Sequence, residues 1–554
     1  MTQRFYISLL VAITLGLSAC EPTQTVPITR PDTVQPPIAT EQFDATILEA
    51  KQAIDQSNPD ESLRVLSSLQ LRNLSDEQQK QMLEAKIQAY GLTKNWLEKA
   101  NNHILLAELL AQEEKQANQQ ALWASLMKLT SQSLELFKPG LAPAIDSGWF
   151  ELAYIVKTYQ AHPETLVVAL EDWQRNYPNH PAEAALYERS LNEGTRLPAD
   201  INHIAVFLPE QGPYKSAAEA IKQGLLSAHF VNKSSAELKF YPVKTDPSNI
   251  AHLYQQAIDN NASVIIGPLD KHSVDLLAQR AELPIPVISL NRLSTPSAKR
   301  NLFQFGLAPE DEAIAIANYA KSQGFKRAVV LASDDDWGRR VSKAFSQQWQ
   351  DNNGVLLSQA SYPKGTHDFS DTIKPFLGLS FSQQRRDSLR QTLGKSFEFE
   401  PRRRHDIDFI FLAAKSAKAR QLVPQLRFHR SGSVPIIATS QAYSGQANSQ
   451  QDIDLNNVIL MDIPWMFTEN SANDPVYNAL KESNPKYFGR YVRLYALGAD
   501  AYSLIPQLNR LSHSEEESYA GATGQLSIDE IGDIRRKPSK GVFKKGLLER
   551  LIQQ

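Results

Sequence analysis

The residues best equipped for chemistry in this 554-residue chain are one cysteine and a few short charged runs. Cys20, the sole cysteine, closes Leu17-Ser18-Ala19-Cys20, directly after an apolar stretch from Phe5 to Leu17 that Arg4 precedes. A basic start, a short apolar core and small residues at the cut site make a secretory signal over residues 1–19. That core is too short to span a bilayer. Asp334-Asp335-Asp336-Trp337-Gly338 follows an apolar run and has the acids for a metal. It also stands where a helix begins, and acids there complement the helix dipole, so capping is the expectation. Arg402-Arg403-Arg404 suits phosphate or an acidic partner, with Asp406 and Asp408 as competing internal partners. Glu515-Glu516-Glu517 reads as an exposed loop. The histidines show no metal-ligand spacing. There is no phosphate-binding Gly-rich loop before a Lys-Ser/Thr pair and no Gly-x-Ser-x-Gly elbow. The expectation is therefore a non-enzyme without cofactor or metal, and a wall-hydrolase reading lacks its motif.

The elements that must carry these groups fall into three kinds. Five of the twenty residues 21–40 are Pro and none is Gly, so this stretch is expected to be an extended spacer, a tether over residues 20–40. At about 3.1 Å per residue it reaches roughly 60 Å when fully extended. Residues 41–200 show helical spacing almost throughout, with Ile47, Leu48, Ala50 and Ile54 as one apolar face. Ser75 and Gln78 have the spacing of a capping box, and further helices are expected over Trp96–Leu110 and Gln119–Leu136. Trp96, Trp123, Trp149 and Trp173 are expected in the core. Residues 201–554 alternate strand and helix patterns. Ile204-Ala205-Val206-Phe207-Leu208 is a continuous apolar run, the mark of a strand buried on both faces. Val264-Ile265-Ile266, Val287-Ile288-Ser289-Leu290, Ala328-Val329-Val330-Leu331, Phe409-Ile410-Phe411-Leu412, Val434 to Ala438 and Val458 to Met461 continue the series. Such alternation implies parallel sheets in two lobes. The formal charge of -3 becomes -4 when Arg4 leaves with the signal. That balance argues against a nucleic-acid binder.

Several resemblances are carried by these residues. Leu17-Ser18-Ala19-Cys20 resembles the lipobox of bacterial lipoproteins, which implies acylation of Cys20 and leaves the mature chain no free thiol. Each buried methylene contributes about 0.8 kcal/mol, so several acyl chains anchor stably. Glu21 in place of Asp implies export to the inner leaflet of the outer membrane. Tyr177-Pro178-Asn179-His180-Pro181-Ala182 resembles the link between tetratricopeptide-like helical hairpins, whose stacked surfaces bind proteins. The α/β half resembles the type I periplasmic-binding-protein fold through Ile204 to Pro209 with Gly212-Pro213-Tyr214, Ile266-Gly267-Pro268-Leu269, Pro286 to Asn291 and Phe305 to Asp311. The resemblance implies a cleft at the carboxyl ends of the strands, with Glu210, Tyr214, Asp270, Asn291, Ser333, Lys415, Thr439, Ser440, Gln441 and Trp465 as candidate lining residues. Asp270-Lys271-His272 replaces the small hydroxyl residues usual in small-molecule binders of that fold.

Taken with Arg402 to Ala414, Pro424-Gln425-Leu426-Arg427-Phe428, Gly521 to Ser527 and Ile534-Arg535-Arg536-Lys537, the chain resembles the outer-membrane lipoprotein activators of class A penicillin-binding proteins. That resemblance implies a monomeric, lipid-anchored regulator that faces the periplasm and stimulates transpeptidation, with Arg402, Arg403 and Arg404 as candidate partner contacts. The long linkers that some members carry between the halves are missing here, so close coupling of residues 41–200 with residues 201–554 is expected. The competing reading is a solute-binding lipoprotein for a transporter or sensor.

Overall fold

A computed structural model describes residues 40–159, 163–187, 201–467, 473–486, 488–512 and 517–551. The signal segment, Cys20, the tether as far as residue 39, Glu515, Glu516 and the boundary expected at residue 200 lie outside the described residues. The chain divides into two compact units, Met1–Ala89 and Tyr90–Gln554.

In the first unit, helices Thr40–Asp55 and Pro59–Leu66 pack as a hairpin, with Pro59 at a helix start where its missing N–H costs nothing. Phe43, Ile47, Ala50, Val65, Leu66, Met82 and Ala85 form its core. Leu48 is 59% exposed, contrary to expectation, because Ile47 and Ala50 take the buried stripe. The capping box is present: Gln78 N–H donates to Ser75 Oγ (3.3 Å) and Ser75 N–H to Gln78 Oε1 (3.0 Å).

The second unit opens with helical hairpins. Trp96–Ala107 packs on Gln112–Lys128, and Ile145–Tyr159 on Pro163–Asn176. Trp123, Trp149 and Trp173 are buried, and Trp96 packs against their cluster. The single helix expected over Gln119–Leu136 is broken. Thr130 is extended and its hydroxyl accepts from Ser133 N–H (2.9 Å), which ends one helix and caps Ser131–Leu136. His180 sits edge-on between Trp149 (4.9 Å) and Trp173 (5.0 Å), so the Tyr-Pro-Asn-His-Pro turn is packed into the core.

The α/β part follows. Strands β1 (His203–Pro209), β2 (Glu237–Val243), β3 (Val264–Ile266), β4 (Val287–Ser289) and β5 (Leu302–Gln304) form an all-parallel sheet in the order β2-β1-β3-β4-β5. A second lobe contains β6 (Arg327–Ser333), β7 (Val355–Tyr362), β8 (Phe409–Ala413), β9 (Ile436–Ala438) and β10 (Val458–Asp462), all parallel. The expectation of parallel sheets alone fails near the C-terminus. β11 (Tyr519–Ala520), β12 (Gln525–Ile528) and β13 (Ile534–Lys537) make a small antiparallel sheet. β14 (Ser539–Lys544) and β15 (Leu547–Arg550) then extend the second sheet antiparallel, giving β15-β14-β10-β9-β8-β6-β7. Their link is a two-residue turn in which Lys545 (φ 51°) and Gly546 (φ 73°) both take positive φ, the geometry that suits a hairpin.

The chain passes between the lobes three times. It leaves the first sheet after β5 for helix Pro309–Ser322, whose Ala313, Ile316 and Ala317 join the second lobe's core. After β10 it returns to helices Pro475–Ser483 and Phe488–Ser503, which share a core with β1. It crosses last between β13 and β14. Helices Lys215–Val231 and Phe488–Ser503 approach through glycines: a Cβ on Gly224 would lie 2.0 Å from Tyr495 O, and one on Gly498 2.1 Å from Ile221 O. That closeness holds the returning helix firmly against the first lobe.

Candidate functional site

The candidate cleft residues all stand at carboxyl ends of parallel strands or in the turns after them, but they divide into two groups. Glu210, Tyr214, Lys415 and Gln441 are exposed. The others are engaged inside the molecule. Asp270 caps helix Lys271–Ala278 by accepting from Ser273 N–H (2.8 Å). Asn291 donates to Leu269 O (3.1 Å) and accepts from Arg292 N–H (3.0 Å). Ser333 donates to Asp335 Oδ1 (2.8 Å). Thr439 is fully buried. Ser440 donates to Glu312 Oε1 (2.8 Å), and its N–H donates to Glu312 Oε2 (2.9 Å). Trp465 is buried in the first lobe's core, with Nε1 donating to Asp474 (2.8 Å).

What the structure brings together at the lobe crossings is a network of buried charges. Arg292, after β4, forms a two-pronged pair with Asp311 in the first turn of Pro309–Ser322, both contacts at 2.9 Å. Arg536 on β13 donates to Gly306 O (3.1 Å) and Ala308 O (3.4 Å), gripping the first crossing segment. Arg493 on Phe488–Ser503 donates to Asp462 Oδ1 (2.9 Å) at the end of β10 and to Ser440 O (3.0 Å). A guanidinium fork suits this role because its donors are fixed in one plane. Burial, reinforced by the Asp462 charge, pushes the Glu312 carboxyl up to about 7, against Arg536 and the Ser440 hydrogen bonds. Burial likewise pushes Asp500 up to about 6, opposed by hydrogen bonds from Thr523 and Ala522 in the β11–β12 turn. Nearby, Gly445 and Gly489 face each other across the lobes, with a Cβ on Gly445 only 2.3 Å from Gly489 O.

The remaining charged runs resolve individually. Asp335 caps helix Asp336–Asp351, accepting from Gly338 N–H (2.9 Å). Among the arginines, Arg404 pairs with Asp406 (2.7 Å), and that hydrogen bond holds the Asp406 carboxyl down at about 2. Arg403 donates to Arg430 O and Ser433. Arg402 is exposed and has no ion pair among the described residues. Asp408 pairs not with this triplet but with Arg327 (3.1 Å). Glu517 is not an exposed loop residue. It is buried, pairs with Arg510, and accepts from Ser131 N–H (2.7 Å), joining the helical hairpins to the α/β part. Lys128 reaches Glu530 (3.1 Å) across the same junction. A cavity of about 1020 Å³ lies beside the last two lobe crossings, bounded in part by Trp465, Asp500, Gly521, Lys537 and Arg550. Trp465 is the one candidate residue on its wall. The polar groups of the ion-pair network, by contrast, converge on one another from both lobes. No helix among the described residues is long and apolar enough to cross a membrane.

Comparison with known proteins follows the same lines. The chain is 25% identical over 494 residues to the penicillin-binding protein activator LpoA of Photobacterium profundum, covering 88% of this chain and 79% of the relative. It is 27% identical over 500 residues to LpoA of Vibrio antiquarius, covering 87% and 81%. A solved structure of Haemophilus influenzae LpoA superposes with a TM-score of 0.66 at 23% identity, over 93% of this chain and 88% of that one. The C-domain of the same protein, described as a regulator of PBP1A, superposes with a TM-score of 0.50 at 23% identity over 63% of this chain. The fold, a helical-hairpin region followed by a two-lobed α/β region, is thus the one that the Haemophilus influenzae structure has. The family described as LppC putative lipoprotein matches residues 7–546, and the chain belongs to it.

Proposed function

We propose that this chain is a regulator without catalysis of its own, which binds a class A penicillin-binding protein and stimulates its transpeptidase step. The observation that carries this reading is the end-to-end match to the lipoprotein family, with relatives named penicillin-binding protein activator covering about nine-tenths of the chain. In the same reading Cys20 is acylated, and the mature chain is a monomer held in the inner leaflet of the outer membrane. Residues 20–40 are its tether, residues 41–200 a tetratricopeptide-like domain and residues 201–554 the binding-protein-like domain. The tether's reach of roughly 60 Å suits a body that must find an enzyme away from its own membrane. Activation needs only that the regulator bind the synthase's active conformation more tightly than its inactive one.

The candidate cleft supports a regulator over a solute binder. Ser440, a residue placed to hold a ligand, spends its hydroxyl and its N–H on Glu312. The crossing segments are gripped by Arg292, Arg493 and Arg536, whereas a binder that closes on solute needs them free to bend. The binding test is direct. A purified class A penicillin-binding protein, immobilised, should retain residues 21–554; passage of the chain without retention contradicts the reading.

A further inference from the structure

The crossover between β7 and β8 contains more helix than closing the sheet requires. Helix Ser370–Phe376 already buries Ile373 and Phe376 over the sheet. The helix after it, Leu379–Leu393, buries only Leu379 and Ser382, and beyond Gln383 none of its residues is buried. Ordering those ten residues costs backbone entropy that burial does not return. Yet the helix is not polar all round. Phe381, Arg385, Leu389 and Leu393 recur every four residues and so share one face. Phe381 is 62%, Leu389 47% and Leu393 56% exposed. Phe428, 80% exposed, stands by the same helix, sharing a groove with Leu379, Gln383 and Pro401. An apolar stripe of this kind on a surface marks an interaction site.

The charges around it define what fits. Arg386 is used internally, pairing with Asp387 (2.6 Å) and lying over the Phe399 ring (5.2 Å). Arg385, within the stripe, and Arg390, beside it, have no ion pair among the described residues. We propose that this face docks an acidic, amphipathic segment of the penicillin-binding protein. Apolar side chains of that segment cover Phe381, Leu389 and Leu393, and its carboxylates meet Arg385 and Arg390. The proposal rests on the functional reading above and adds to it the surface and the chemistry of the partner. A second copy of this chain fits poorly, because the stripe would then bring the arginines of both copies to one interface and add no carboxylate from the stripe to meet them. A membrane surface also fits poorly: three apolar residues interrupted by Arg385 give too small a face to insert.

The test measures binding of residues 21–554, the mature chain without its lipidated Cys20, to a purified full-length class A penicillin-binding protein in detergent. Two variants are compared with the native chain. One combines Phe381→Ala, Leu389→Ala and Leu393→Ala; the other combines Arg385→Glu and Arg390→Glu and leaves the apolar stripe intact. The expected result is binding at least tenfold weaker for each, with the thermal midpoint unchanged and the native affinity falling as salt rises. Native affinity retained by either variant overturns the docking surface while leaving the functional reading in place. A native chain that does not bind overturns both. Flotation with phosphatidylglycerol vesicles, or self-association in sedimentation, that the triple variant abolishes would reassign the face to a membrane or a second copy.

Discussion

Arg493 and Asp462 meet across the lobes at 2.9 Å, one from helix Phe488–Ser503 and the other from the carboxyl end of β10. Asp462 is fully buried, and the Arg493 guanidinium is its counter-charge.

Breaking the pair from one side should be costly. Arg493→Met leaves Asp462 buried without its counter-charge, and the loss expected is about 3 to 5 kcal/mol. Adding Asp462→Leu should return much of that loss, because no orphaned charge remains. Urea denaturation of the two variants checks this; equal stability of the native and single-variant chains would contradict the role assigned to the pair.

Glu312 gives the molecule a pH dependence of definite sign. Its carboxyl sits at about 7 in the fold against an ordinary 4.5. Between those values the folded chain holds a proton that the unfolded chain releases. Stability therefore falls as pH rises from about 4.5 to about 7 and then levels off. Asp500 adds a slope of the same sign at lower pH, up to about 6. Glu312→Gln keeps a hydrogen-bonding group beside Ser440 and removes its share of the slope, on the order of 3 kcal/mol between pH 4 and pH 8. Denaturation curves at those two pH values measure it, and an unchanged pH slope in the variant would count against this burial.

Glu517 should govern the junction between the hairpins and the α/β part. Glu517→Ala removes the acceptor for Ser131 N–H and the only ion-pair partner of Arg510 among the described residues. It also removes the acid that holds up Lys157, whose amine burial has already pulled down to about 8. Hydrogen exchange over Ser131–Leu136 is expected to speed up at least tenfold. Protection equal to that of the native chain would show that the clasp lies elsewhere.

The paired glycines predict a steric break. Gly498→Val directs a branched side chain at Ile221 O, where even a Cβ would stand 2.1 Å away. Helices Lys215–Val231 and Phe488–Ser503 must then separate, with a loss of roughly 3 kcal/mol or more expected from the first lobe. An unaltered urea midpoint would refute the close crossing.

Much of this fold was legible because burial leaves a local pattern. β1 is covered on both faces, so Ile204 to Leu208 is continuously apolar. β7 is an edge strand with Ser358, Gln359 and Ser361 among its residues, and its mixed burial hid it. β5 has three residues, too few for a pattern. The antiparallel β14–β15 hairpin announced itself only through Lys545-Gly546, a turn signal easily passed over. In the site, Asp335 was read correctly as a cap because capping is a local matter. Asp311, Glu312 and Arg493 were missed as a group. Each looks like an ordinary surface charge on its own helix, and Glu312 lies 128 residues from Ser440. Their burial follows from how the lobes meet, which no window of sequence contains.

Activation is tested most directly by the crosslinking that the synthase performs. A purified class A penicillin-binding protein is given lipid II with and without residues 21–554, and crosslinked muropeptides are counted after digestion. Several-fold more crosslinks are expected with the chain present, and none from the chain alone. Crosslinking unchanged by a saturating amount of the chain would contradict it.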